Sequence, residues 1–286
     1  MPDKTLIVML GTGTPGPDPD RSGPATAIIA NGTPYLIDFG PGVVRRAAAA
    51  FRQGVEAFGF GATKIRAAFL THLHADHTIG LPDLILTPWI MGRWQPLAIF
   101  GPKGLKAMCD HVLKAWKLDI ANRVNGAEKL CAAGCKLKVT EIMPGLIYQD
   151  ANVAVTAFLV RHGDMANAFG FKFKTTDKSI VISGDTAPTE TIVEHSDGCD
   201  VLIHEAYSQH TYDRVSGKWK AYRRRYHTSS MELARIATRA KPKLLVLYHR
   251  ASPGGAGLPN PEHVLLEEIR RAYKGNVVVA HDLDVF

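Results

Sequence analysis

Short apolar runs, each closed by glycine, proline or charge, alternate along the chain with longer stretches of helical spacing. Thr5 to Leu10 reads as a first strand. Ala25 to Ala30 and Pro34 to Asp38 read as a hairpin around Asn31-Gly32, a pair suited to positive φ. The alanine-rich Val43 to Gln53 predicts a helix. Leu81 to Met91 predicts a second helix after Pro82, and Gly101-Pro102-Lys103-Gly104-Leu105 opens a third that runs toward Trp116. Ala67 to Leu70 and Leu97 to Phe100 are strand-like, while Lys136 to Met143, Val153 to Val160, Ala168 to Thr175 and Ser179 to Ser183 are expected to supply a second sheet. Beyond Asp185-Thr186-Ala187-Pro188 a helix to His195 leads to the strand Val201-Leu202-Ile203, and Leu244 to Tyr248 is a last apolar run. No repeat or linker divides this alternation, so an α/β (α+β) chain forming a single domain over residues 1–286 is expected.

One stretch departs from the pattern. Ala67 to Leu70 runs into Thr71-His72-Leu73-His74-Ala75-Asp76-His77, where four of seven residues are metal-ligand types. In an extended backbone His72 and His74 fall on one side, whereas a helix would turn them roughly 200° apart. Asp76 and His77 follow where the chain leaves the strand, so they can point away from the first pair and hold a second ion. Imidazole with a minority of carboxylate, and no cysteine, suits zinc first and manganese, iron or nickel less well.

Composition narrows the picture only a little. The 286 residues carry a net charge of +7, a weak bias toward anionic partners. No apolar stretch approaches the roughly 20 residues that span a bilayer, and Leu6 to Leu10 is too short for a signal peptide, so no membrane partner and a cytoplasmic location are expected. The four cysteines, Cys109, Cys131, Cys135 and Cys199, form no zinc pattern and read as reduced thiols. Gly11-Thr12-Gly13-Thr14-Pro15-Gly16 has the letters of a dinucleotide fingerprint, but Pro15, Pro17, Pro19 and Pro24 deny it the helix that fingerprint needs. Trp89, Met91 and Trp94 either wall a cleft or pack. Lys218 to Tyr226 interleaves cations with aromatics, which suits phosphate contact with base stacking or a solvated charged face. Ser229-Ser230-Met231-Glu232 has capping-box spacing, so a helix should start just after His227. His111, His195, His210, His263 and His281 read as structural or surface residues, and His204 as a packing or hydrogen-bonding one.

His72-x-His74-x-Asp76-His77 after an apolar strand resembles the signature of the metallo-β-lactamase superfamily. That resemblance implies a four-layered αβ/βα sandwich with a two-metal hydrolytic site, whose remaining ligands match His162, Asp185 and His249. Two further segments resemble the ribonuclease Z-like and arylsulfatase-like subgroup: His204-Glu205-Ala206-Tyr207 stands where ribonuclease Z carries His-Glu-Ala-Thr, and His227-Thr228-Ser229 where it carries His-Ser-Thr. The resemblance implies one divalent ion on His72, His74 and His162, a second on Asp76, His77 and His249, and Asp185 between them. Such ions, about 3.5 to 4 Å apart, share a water and make hydroxide available as nucleophile. Asp76 would also orient that hydroxide, and His227, oriented by Glu205, would protonate the leaving oxygen or stabilise the oxyanion. Asp38 matches the superfamily's early aspartate and is expected to hydrogen-bond a ligand histidine or its loop.

The implied function is a phosphodiesterase or ribonuclease Z-like hydrolase, with RNA or a small phosphodiester as substrate and a homodimer as assembly. A hydrolase of carboxylic esters, lactones, β-lactams or sulfate esters is the alternative, and a non-catalytic metal-binding protein a third reading. Ribonuclease Z carries a long arm between the positions matching His162 and Asp185. Here that interval is long enough for little more than a hairpin.

Overall fold

The computed structural model describes residues 4–250 and 261–286. These group into two compact units, one comprising the chain to Gly11 with Pro19–Ile142 and Asp282–Phe286, the other Thr12–Asp18 with Met143–His281.

The first unit is built on six strands, β1 (Leu6–Gly11), β2 (Ala25–Ala30), β3 (Thr33–Ile37), β4 (Ala67–Phe69), β5 (Leu97–Gly101) and β6 (Leu137–Glu141), lying side by side in chain order. β1 to β3 form an antiparallel meander, and β3 to β6 run parallel. Every residue of β2 is buried, as a run apolar but for Thr26 requires of a strand covered on both faces. The helix Val43–Arg52 buries Val43, Val44, Ala47 and Ala50, a stripe of helical spacing. Together with Leu84, Ile85 and Trp89 of the helix Leu81–Ile90 and Leu36, Ala68 and Ile99 of the sheet, that stripe forms one core.

Residues Lys136 to Met143 do not belong to the second sheet. Their strand, β6, pairs with β5 in parallel. A parallel pair needs a long crossover, which the helices Leu105–Ala115 and Lys117–Asn125 supply; the second of these helices was not anticipated.

The second unit holds a seven-stranded sheet: β7 (Gly145–Gln149), β8 (Ala154–Leu159), β9 (Phe169–Lys174), β10 (Ser179–Ile182), β11 (Val201–Glu205), β12 (Leu244–Tyr248) and β13 (Val277–Val279). β7 to β10 are antiparallel, and β10 to β13 parallel. Ile192, Leu233, Ala237, Leu265 and Ile269, from three helices, pack on Val181, Leu202 and Leu245.

Strand direction matters for the chemistry. β8 and β10 are both antiparallel to β9, so β8, β10, β11 and β12 all run the same way and end at one sheet edge. β3, β4 and β5 likewise end together in the first unit. The carboxyl ends of parallel strands are where α/β sheets place their sites.

Candidate active site

In the first unit the chain leaves β4 at Phe69, and Ala75–Thr78 makes a single helical turn. His72 Nε2 faces His74 Nδ1 across 3.0 Å, with the rings near perpendicular. Asp76 and His77 do not both point away from this pair: the turn folds His77 back until its ring centre lies 4.2 Å from that of His72. Asp76 Oδ2 stands 3.6 Å from His77 Nε2.

Asp38, just past β3, organises this cluster. His77 Nδ1 donates to its Oδ2 at 2.8 Å, and the Thr71 amide donates to its Oδ1 at 2.8 Å. The Thr71 hydroxyl lies 3.0 Å from that carboxylate and 3.0 Å from His72 Nδ1, so it donates to the acid and accepts from the ring. These bonds put the ring protons of His72 and His77 on Nδ1 and leave Nε2 with its lone pair, the tautomer a metal ligand needs. Gly40 permits the arrangement, because a Cβ there would lie 2.5 Å from the Asp76 carbonyl oxygen.

In the second unit four residues come from the shared strand edge. His162 lies just beyond β8 and donates from Nδ1 to the Tyr226 carbonyl at 2.8 Å. Asp185 follows β10 through Gly184, with Oδ2 3.9 Å from His162 Nε2 and Oδ1 3.5 Å from His249 Nδ1. Glu205 ends β11, and His249 follows β12 at φ 40°. The fully buried Glu205 accepts from the Thr186 amide at 3.1 Å and from His227 Nδ1 at 2.9 Å.

His227 ends the helix Gly217–Tyr226 and is held on its other side by the expected capping box of Ser229 and Glu232. Buried Glu268 anchors the neighbouring turn, accepting from the Ser208 and Ser230 hydroxyls and the Gln209 and His210 amides. The donor atoms of His162, Asp185 and His227 lie within 4.8 Å of one another, as do those of Glu205, His227 and His249.

Imidazoles with carboxylates beside them are ligand types for a divalent cation, so both donor sets fit a metal. The cysteines take no part. Burial pushes the Cys109 and Cys199 thiols up to about 12, far from the thiolate a ligand must be.

The basic segment forms the helix Gly217–Tyr226, and Arg223 is buried in it with its guanidinium 6.0 Å from the centres of the Tyr207 and Tyr222 rings. Trp89 packs, with its indole donating to the Cys131 carbonyl, and Trp94 is exposed. His204 is buried and hydrogen-bonds the Glu205 carbonyl, His195 stacks on Phe158, and His281 pairs with Glu262. Two contributors were not singled out from the sequence, Thr71 and the Tyr226 carbonyl. Only adjacency to the ligand types marks the first, and nothing local marks the second.

Residues 33–250 match the β-lactamase superfamily domain, and the chain belongs to that superfamily. Within it, the chain is 31% identical to ribonuclease Z of Mycobacterium bovis (strain BCG / Pasteur 1173P2) over 97% of its own length and 96% of that protein's. It is 34% identical to ribonuclease Z of Mycobacterium marinum over 85% of each. Among solved structures, the short form of human tRNase Z superposes with a TM-score of 0.68 at 25% identity, covering 98% of both chains. The metallo-β-lactamase fold protein YhfI of Bacillus subtilis gives 0.75 at 18%, over 99% of this chain and all of that one. The fold class expected from the sequence is thus the one the chain has, and its His and Asp groups are able to bind metal. Among the described residues no helix is long and apolar enough to cross a membrane.

Proposed function

We propose that the chain is a dinuclear metal-dependent phosphodiesterase of ribonuclease Z type that hydrolyses RNA or a smaller phosphodiester, working as one domain over residues 1–286. His72, His74 and His162 would hold one ion, Asp76, His77 and His249 the second, and Asp185 would lie between them, with zinc the metal this donor set suits first. Bound there, the ions would supply an activated water and draw charge from the scissile phosphorus. The remaining chemistry falls to side chains. Asp38 and Thr71 hold the His77 and His72 tautomers. Asp76 orients the attacking water. Glu205 accepts from His227 Nδ1 and so orients the ring; with both ring nitrogens protonated, the Nε2–H would donate to the leaving oxygen or the developing oxyanion and pass its proton to the former.

The observation that carries this reading is the His227–Glu205 pair, buried beside His162, Asp185 and His249 in a chain that aligns end to end with ribonuclease Z. Between His162 and Asp185 stand only β9 and β10, a plain hairpin where ribonuclease Z has its arm, which favours short or flexible RNA over transfer RNA. A cytoplasmic homodimer is part of the same proposal.

Metal analysis with a substrate panel tests it. Bis(4-nitrophenyl) phosphate, an oligoribonucleotide, a lactone and a chromogenic cephalosporin are assayed with and without chelator. Chelator-sensitive turnover of the phosphodiesters is expected. Turnover of the lactone or cephalosporin alone would overturn the reading in favour of the carbonyl-directed alternative.

A further inference from the structure

Trp219, Tyr222 and Tyr226 are spaced by three and four residues and therefore share one face of the helix Gly217–Tyr226. Their rings form a chain. Trp219 meets Tyr222 edge-on at 5.8 Å, Tyr222 stacks on Tyr226 at 4.5 Å, and Tyr222 lies 5.7 Å from the His227 ring. The chain thus leads from the protein surface to the proposed proton donor.

The inner end is fixed. The Tyr226 hydroxyl donates to Asp164, its ring lies over Gly163, where a Cβ would come within 2.0 Å of it, and its carbonyl holds His162. The Arg223 guanidinium lies 6.0 Å from the centre of the Tyr222 ring.

The outer end is open. Trp219 and Tyr222 each keep 36% of their surface exposed, more than packing requires of rings this large. The same helix carries four further cations: Lys218, Lys220 and Arg224, the last two lying over the Tyr212 ring, and Arg225, which pairs with Asp164.

We propose that this ladder seats an unpaired base of single-stranded RNA beside the scissile phosphate, with Tyr222 the residue that sets the preference for a base-bearing strand. The proposal rests on the phosphodiesterase reading above. A stacked ring pair with a third ring edge-on to it, exposed on a helix rich in cations, suits a base and the neighbouring phosphates of one strand. A duplex keeps its bases stacked on each other and offers the ladder no free face.

The test compares a single-stranded oligoribonucleotide with the same oligonucleotide made abasic next to the cleavage site. Tyr222→Leu should lower kcat/KM on the intact strand about ten- to hundredfold, mostly through KM, as loss of one base stack predicts. The wild type should lose a similar factor on the abasic strand, the variant should lose little more, and Tyr222→Phe should behave as wild type. Equal losses on both strands would show that Tyr222 only packs, and equal turnover of duplex and single strand would likewise overturn the proposal. Should no phosphodiester be cleaved, the functional reading fails separately. Quenching of tryptophan fluorescence by the intact strand, absent in Trp219→Leu and with the abasic strand, would still support the ladder, and no quenching would refute it.

Discussion

Asp38→Asn asks whether ring tautomers prepare the histidine turn for metal. Asp38 has φ 58°, a left-handed conformation that asparagine tolerates and alanine adopts only at a cost of about 1–2 kcal/mol, so the amide isolates the chemistry from the backbone. The carboxylate accepts on both sides, from the Thr71 amide at 2.8 Å and from His77 Nδ1 at 2.8 Å. An amide can accept on only one. If its NH2 faced the Thr71 amide, two buried donors would confront each other, and a backbone N–H cannot move its proton; the cost is about 1–3 kcal/mol. Facing His77 is cheaper, because the imidazole can shift its proton to Nε2. That shift removes the lone pair presented to a metal. Loss of such an outer hydrogen bond typically weakens binding about 10- to 100-fold. Competition with a chromophoric chelator measures the affinity, and urea unfolding in EDTA measures the fold. We expect the affinity to fall by that factor while the variant stays folded. Wild-type affinity in the folded variant would refute the tautomer argument.

Three further outcomes are expected. His227→Ala should lower turnover about 10²- to 10⁴-fold with metal content unchanged by elemental analysis, and unchanged turnover would remove His227 from the mechanism. Gly163→Ala forces a Cβ into the Tyr226 ring and, since Tyr226 also holds His162, should destabilise the fold by about 1–3 kcal/mol in a denaturant titration. His204 is buried with its pKa lowered by desolvation, so the unfolded chain takes up a proton that the folded one refuses. Its contribution to stability is therefore complete above the unfolded value of about 6.5 and is lost as pH falls below it; in EDTA, His204→Leu should show a shallower fall in urea midpoint between about pH 7.5 and 5.5 than the wild type.

What could be read from the sequence follows range of interaction. The histidine turn was legible because its ligand types lie within one strand exit, and the capping box after His227 because Ser229 and Glu232 are three residues apart. The strands before His162, Asp185 and His249 were legible as apolar runs. β6 was put in the wrong sheet and β7 was not seen, because each is an edge strand with its residues partly or fully exposed, and neither pattern says which sheet it joins. The helix Gly217–Tyr226 was hidden for a related reason. Rich in cations, it carries a stripe of only three aromatic residues, and the burial of Arg223, whose guanidinium lies 6.0 Å from the Tyr207 ring of another segment, has no local signal. The side to which the His77 ring turns was not legible, because one helical turn, too short for any periodic signal, decides it.

The same contrast explains why the site sits where it does. Asp38 and His249 both hold positive φ without being glycine, a strain of about 1–3 kcal/mol at each. Each follows a strand whose register its neighbours fix, β3 between β2 and β4, and β12 between β11 and β13. A residue one step past a ladder paired on both sides cannot relax without breaking backbone hydrogen bonds, and those bonds outweigh the strain. Glu205 has the firmest hold, since it is itself the last rung of β11 against Tyr248 of β12. The sheet thus sets the position of each donor, while local contacts such as Thr71 on His72 and Tyr226 on His162 set its orientation. The first depends on apolar runs visible in the sequence, and the second on partners that only the fold supplies.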